Sequence, residues 1–452
     1  MLVIFQLLLL VTIIVICTNS SATDSLRSCA VESISRENLD ANIKTLSAIG
    51  ATTNDAVKRL SFTEDDVKGR ELVMKWMREL DMSVKIDTAG NIIGTYPSMF
   101  SSDQKKDIPA LATGSHIDTV PTGGKYDGAL GVLAGLEVVR ALKAQGEYLH
   151  HPIEVIVFTD EESTLIGSKA MSGRLDFTNL KISDFTTSIR EPIDKCLRTI
   201  GGNFEEISKA ARTPLSIGAF VELHVEQGGV LEKRGDAIGV VEGIVGQRRF
   251  TITINGLPNH AGTTPMNMRS DSLVAASKVV ISVHQAATSY KGKKGSDPVA
   301  TVGKLDVWPN AANIIPGQVN MTLEMRDLYA ESLDFIYTSI LESVNVIEAE
   351  TNTKISIIPQ FSTDSTMAAD FIQDIIVEAS SKLNLTHSAL PSRAVHDSQE
   401  MGKTWPMAMI FVPSMGGYSH SHLEYTSSEQ CAAGTAVLLE TFRLLDERLP
   451  VE

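Results

Sequence analysis

ALATGSHIDTVPTGGKYDGALGVLAGLEVVRALKA at residues 110–144, followed by IEVIVFTDEE at 153–162, is the stretch on which the fold turns. Residues 110–115 read as a strand, and Gly128–Ala144 as a helix that begins just past Asp127. The apolar run 153–159 reads as another strand and leads into an acidic pair, Glu161 and Glu162. A further strand is expected at 91–96. Strand, loop, helix and strand in that order predict an α/β layer with a mostly parallel central sheet flanked by helices. Sheets of this kind hold ligands in the loops beyond their strand ends. Asp118, Asp127, Glu161 and Glu162 all fall in such loops or beside them.

Upstream, residues 37–82 read as helical, with Leu72, Trp76 and Leu80 four apart. Downstream the texture changes near 237. VVEGIVGQRRFTITING at 240–256 alternates as paired strands do, and a helix is expected at 268–289. Strands near 299–307 and 317–326 and a helix near 330–348 complete a β-α-β-β-α succession, enough for a separate two-layer α+β domain. The last part returns to the first texture, with helices at 367–383 and 427–446 around the strand PMAMIFVP. The first domain is therefore read as discontinuous, 23–236 and 350–452, with a second domain inserted at 237–349.

The chain has 452 residues, 43% of them hydrophobic and 21% charged, a composition that excludes a mainly disordered or collagen-like protein. Its formal charge of -15 argues against nucleic acid as the main partner. Four scattered cysteines, with no CxxC pair, exclude a disulfide scaffold and a zinc–thiolate site. Residues 1–17, MLVIFQLLLLVTIIVIC, are apolar but short of the roughly 20 residues of a membrane span. Small polar residues follow, so 1–22 is read as a signal peptide, although no Lys or Arg precedes the apolar run. Sequons stand at Asn320 and Asn384.

Seven polar residues crowd the predicted strand ends: His116, Asp118, Asp127, Glu161, Glu162, His224 and His420. Singly, each has an ordinary reading. Asp127 suits a helix N-cap, the two glutamates a solvated loop, and His116 a satisfied surface position. Together, three imidazoles and several carboxylates suit two divalent ions that share one carboxylate. Such a pair holds a water of lowered pKa near a carbonyl. One further carboxylate must take the proton, and either Glu161 or Glu162 is placed for that. Asp118 would hold the ring of His116.

Several motifs occur in order: GSHIDTVPTGGKYDGALG, VFTDEES, ELHVEQGGVLE, NHAGTTPMNMRSD, NIIPGQV with EMRD, and YSHSHLEY. Through them the chain, over residues 37–446, resembles the amidase, hydantoinase and carbamoylase branch of the metallo-aminoacylase and exopeptidase clan. The resemblance implies a catalytic domain with two metal ions, most often manganese, and a smaller dimerisation (lid) domain. It assigns His116 and His224 to one ion, Glu162 and His420 to the other, Asp127 as the bridge, and Glu161 as general base. It makes His260 the oxyanion-stabilising residue reaching into the other subunit of a homodimer. Gln227, Asn313, Arg326 and His396 become substrate-binding residues, with Arg326 gripping a substrate carboxylate.

The family cleaves ureido or amidino C–N bonds next to a carboxylate. PSRAVHDSQEM at 391–401 looks more like the SRAYHDS of ureidoglycolate-cleaving plant members than the SGAGHDA of allantoate-cleaving ones. Val395 departs from that tyrosine, and Leu165 stands where relatives carry an arginine. The resemblance implies hydrolysis of ureidoglycolate to glyoxylate, ammonia and carbon dioxide. Allantoate and N-carbamoyl-L-amino acids are the alternatives. It also agrees with a secretory location, the endoplasmic reticulum lumen.

Overall fold

The computed structural model describes residues 33–100, 108–292 and 298–451. The expected signal segment 1–22 lies outside them, as do Cys17 and Cys29. Cys196 and Cys431 are buried free thiols. No helix among the described residues is long and apolar enough to cross a membrane. The chain divides into two compact units: Met1–Glu242 with Ala368–Ala389 and His396–Glu452, and Gly243–Met367 with Leu390–Val395.

The strands are, in chain order, β1 (Ser83–Ile86), β2 (Ile92–Tyr96), β3 (Ala110–Ser115), β4 (Ile153–Val157), β5 (Ile217–Val225), β6 (Ile238–Ile244) and β7 (Gly246–Asn255). Then follow β8 (Asn259–His260), β9 (Val299–Trp308), β10 (Ile314–Ile315), β11 (Gln318–Asp327), β12 (Lys354–Thr363), β13 (Thr366–Met367), β14 (His387–Ser392) and β15 (Met407–Val412).

In the first unit the sheet order is β1-β2-β4-β3-β5-β15-β6. The four central strands, β4, β3, β5 and β15, run parallel. The outer pairings β1–β2, β2–β4 and β15–β6 are antiparallel. Every residue of β3, β4 and β15 is buried, as strands covered by helices on both faces must be. The helix Ala129–Gln145 is apolar on nearly all sides and accordingly buried along most of its length. It packs against the helices Arg36–Ser47 and Ser428–Arg448. The latter opens with a capping box between Ser427 and Gln430.

The helix expected over 37–82 is instead two, Arg36–Ser47 and Glu64–Glu79. The loop between them is anchored inward by Arg59, which is fully buried. Its guanidinium donates to the carbonyls of Leu46, Ile49 and Ile117. Thr63 then caps the second helix by accepting from Asp66 N. Periodicity cannot register such a long-range anchor.

The second unit is a four-stranded antiparallel sheet, β12-β7-β11-β9, with the helices Ser272–Ser289 and Ala330–Thr351 sharing its core. In β11, Val319, Met321, Leu323 and Met325 are buried, while Gln318, Asn320, Thr322, Glu324 and Arg326 occupy the other, open face. The expected insertion, 237–349, is displaced at both ends. It starts at 243, because β6 belongs mainly to the first sheet, and continues to 367. The added strand β12 pairs with β7, and Ile355 and Ile357 pack on the core. Its pattern is broken at Pro359, where the register shifts, a break that an edge strand tolerates. The expected second part of the first domain, 350–452, correspondingly loses 350–367 and 390–395.

Candidate active site

Parallel strands deliver their carboxyl ends to one edge of the sheet. His116 follows β3, Glu161 and Glu162 follow β4, His224 sits near the end of β5, and His420 lies in the loop after β15. Asp127 closes the loop before the helix Ala129–Gln145, with Gly128 between them. Gly128 has φ +64°, and a Cβ there would stand 2.4 Å from the His116 ring. Only glycine lets that ring lie against the helix start.

Asp127 is the centre of the cluster. Its Oδ1 lies 3.2 Å from His224 Nε2 and 3.8 Å from His116 Nε2. Its Oδ2 lies 3.4 Å from His420 Nε2, and Glu162 Oε2 is 3.5 Å from that same nitrogen. One carboxylate thus faces two donor sets, His116 with His224 and Glu162 with His420. Within each set, Asp127 included, the donor atoms lie within 4.8 Å of one another. Glu161 is the flanking acid, its Oε2 3.6 Å from His116 Nε2.

The two buried imidazoles are oriented by backbone carbonyls. His116 Nδ1 lies 2.9 Å from the Asp118 carbonyl oxygen, and His224 Nδ1 lies 2.8 Å from that of Val225. In each, Nδ1–H donates to the carbonyl, which turns Nε2 toward Asp127. Asp118 therefore steadies His116 through its main chain. Its carboxylate, 3.7 Å from the ring, accepts from the Ser61 hydroxyl and the Glu162 N–H. The contact between Asp118 and the His116 ring is thus made by the Asp118 carbonyl, with the carboxylate turned to Ser61 and Glu162.

The electrostatics suit cations. Burial works against the charged form of Asp127, yet hydrogen bonds with His224 and His420 hold its carboxyl well below the usual range. Burial and the neighbouring Glu162 and Asp397 carboxylates push Glu161 well up, and burial moves Glu162 up to about 7. His420 is drawn up to about 9 by Asp127. In His224, burial opposes the charge but Asp127 outweighs it, again to about 9. Negative charge here exceeds what the chain neutralises, so protons are held on acids and imidazoles alike. Gly128 N–H, 3.2 Å from His224 Nε2, favours the lone pair instead. Imidazole and carboxylate donors in two sets around a shared carboxylate fit two divalent ions.

Gln227 has φ +58°, and its Nε2 donates to Asp127 Oδ2 at 2.9 Å, beside the Ser419 hydroxyl at 3.0 Å. His396 is buried edge-on to His224, with ring centres 4.4 Å apart. Burial and the neighbouring His224 hold it well below the usual imidazole range.

His260, Asn313 and Arg326 belong to the second unit. β8 pairs with β10, and Ala261 N donates to the Asn313 carbonyl, so His260 and Asn313 are neighbours. Arg326 is the residue expected to grip a substrate carboxylate. Its Nε and Nη2 both meet Glu324 Oε1 at 2.8 Å, and its Nη1 donates to the Arg393 carbonyl. Arg249 holds the other oxygen of Glu324. Two of five guanidinium donors remain, one on each terminal nitrogen.

Two buried acids of this region lie in motifs quoted above but were given no role there. Glu222 accepts from the Ser115 and Ser398 hydroxyls and the Ser398 N–H, tying together the segments that carry His116, His224 and His396. Glu424 accepts from the N–H groups of Tyr126 and Asp127. A signal for Glu222 existed: an acid two residues before His224, in an otherwise apolar strand, faces the same side. Glu424 stands in the YSHSHLEY motif, but its role was not legible there, because the N–H groups it accepts lie about 300 residues away.

A fold of this topology, with this donor set at its carboxyl edge, is that of a metal-dependent hydrolase. A profile of peptidase family M20/M25/M40 matches residues 112–444, and the chain belongs to that family. Within it, the chain falls in the hydantoinase/carbamoylase branch of amidases. It is 36% identical to the N-carbamoyl-L-amino acid amidohydrolase of Geobacillus stearothermophilus, over 90% of this chain and 98% of that one. It is 32% identical to the ureidoglycolate hydrolase of Arabidopsis thaliana, over 91% and 87% respectively. A solved hydantoinase/carbamoylase-family amidase from Burkholderia multivorans superposes with a TM-score of 0.83 at 31% identity, covering 92% of this chain and 99% of that one. The protein is a hydrolase of the M20 type.

Proposed function

We propose that this amidohydrolase of ureido and amide C–N bonds acts on ureidoglycolate, with water, to give glyoxylate, two ammonia and carbon dioxide. The reading is carried by Asp127 standing between two donor sets, with Glu161 beside them. His116 and His224 would hold one divalent ion, Glu162 and His420 the other, with Asp127 common to both; manganese is the proposed metal. When bound, the ions would supply a water of lowered pKa and polarise the ureido carbonyl.

The chain's own groups do the rest. Glu161, buried beside the donor sets, would as its carboxylate take a proton from the attacking water and return it to the departing nitrogen. His260 accepts the N–H groups of Gly262 and Thr263 at Nδ1, which leaves its proton on Nε2 for the oxyanion. His260 is exposed, and in the proposed homodimer it serves the other copy's site. Arg326 and Asn313 receive the substrate carboxylate, and Gln227 and His396 line the site.

Support for ureidoglycolate over its rivals comes from SRAVHDS at 392–398. Val395 departs from the ureidoglycolate pattern and Leu165 from the arginine of relatives, and the 36% identity to a carbamoylase favours N-carbamoyl-L-amino acids as the second reading. Ammonia release from ureidoglycolate, allantoate and several N-carbamoyl amino acids, each with added manganese, separates them. A kcat/KM for ureidoglycolate below that for any rival would end the first reading. The apolar N-terminal run supports delivery to the endoplasmic reticulum lumen, which N-terminal sequencing and localisation of the expressed full chain would test.

A further inference from the structure

We propose that Glu424 is the positioning residue for Asp127, fixing the attitude in which Asp127 offers one carboxylate oxygen to each donor set. The inference rests on the reading of Asp127 as a shared metal ligand.

Glu424 is buried, and its Oε1 accepts from Tyr126 N at 2.8 Å and Asp127 N at 3.0 Å. Its Oε2 lies 3.5 Å from the Ser419 hydroxyl, which itself donates to Asp127 Oδ2 at 3.0 Å. Glu424 therefore grips Asp127 at its main chain, while the single Ser419 proton goes to the nearer Asp127 Oδ2. The seat for this carboxylate is Gly124, where a Cβ would stand 2.2 Å from Glu424 Oε1. The glycine before Lys125 is thus explained by an acid far away in sequence. The same two segments also meet through the edge-on pair Tyr126–Tyr425.

Without Glu424, the Asp127 N–H would be left buried and unmatched, and the loop would turn to find another acceptor. The function required is acceptance of two N–H groups. A glutamine oxygen can also accept two, so Glu424→Gln should preserve the grip and Glu424→Ala should lose it. Residues that orient metal ligands typically govern affinity by about 10- to 100-fold.

The test is titration of the metal-stripped full chain with Mn2+ by calorimetry, with thermal unfolding as a folding control. Wild type should bind two ions, and Glu424→Gln should stay within about threefold of its affinities. Glu424→Ala should weaken at least one ion about 10- to 100-fold. Gly124→Ala, which displaces the carboxylate without removing it, should weaken the same ion. The double variant should lose less than the sum of the two single losses. Should Glu424→Ala fail to fold, Gly124→Ala against wild type and Glu424→Gln carries the comparison.

Wild-type affinities in both Glu424→Ala and Gly124→Ala overturn the proposal, as does a Glu424→Gln variant as weak as alanine. If wild type itself takes up no ions, the shared-ligand reading falls and this inference with it. If wild type takes up two and the alanine variants do likewise, only the role of Glu424 falls.

Discussion

His224 Nε2 lies 3.2 Å from Asp127 Oδ1, although one residue ends a central strand and the other precedes a helix. His224 is held there by its own Nδ1 on the Val225 carbonyl, so the main chain sets the direction of its Nε2. A donor set oriented in this way binds with little rearrangement, which makes the following outcomes specific.

Asp127→Asn should reduce the metal content of purified protein from two ions toward none, because both donor sets depend on the same carboxylate. Elemental analysis after gel filtration reads this directly. Retention of both ions would refute a shared ligand.

Glu161→Gln should lower kcat by about 100-fold or more while metal content stays at the wild-type value. The glutamine keeps the shape but cannot accept a proton. Steady-state kinetics paired with metal analysis checks it, and unimpaired turnover would remove Glu161 from the mechanism.

Arg326→Ala should raise KM for carboxylate substrates by about 10- to 100-fold with a smaller change in kcat, the loss of a charged hydrogen-bond pair. Amide analogues of the same substrates should show no such rise. Since Glu324 holds the same guanidinium, Glu324→Gln should alter KM as well, and should have no such effect in the Arg326→Ala background. Equal effects on charged and neutral substrates would assign Arg326 to packing.

At the amino end of β4, Asp446 accepts from His150 and His151, at both backbone N–H and Nδ1. Burial opposes its charge, but these hydrogen bonds outweigh burial and bring it to about 2. A folded value below the unfolded one near 4 gives stability that is present above about pH 4 and lost as pH falls toward 2. The contribution is about 1 kcal/mol, allowing for solvent around the half-exposed His150. Urea unfolding of wild type and Asp446→Asn should therefore differ at pH 6 and converge near pH 2.5. A gap of constant size would show that the charge is not responsible.

Much of the fold was legible in the chain. The parallel core follows from apolar runs of strand length alternating with helix-length apolar segments, and β3, β4 and β15 are buried end to end as that pattern demands. The expected helix 37–82 and the boundary at 349 failed for one reason. Arg59 reaching three distant carbonyls and β12 joining β7 are long-range contacts, and local periodicity carries no record of them.

By itself, the amino-acid sequence determined which side chains are available for chemistry and that they fall just past strand ends. It also named the family, because ordered motifs survive as text. Tertiary structure alone decided that Asp118 acts through its main chain, that Arg326 is already engaged by Glu324, and that Glu424 seats on Gly124 to grip Asp127. Hydrogen bonds of this kind depend on distance and direction in space, which residue order does not specify until the sheet brings the loops together.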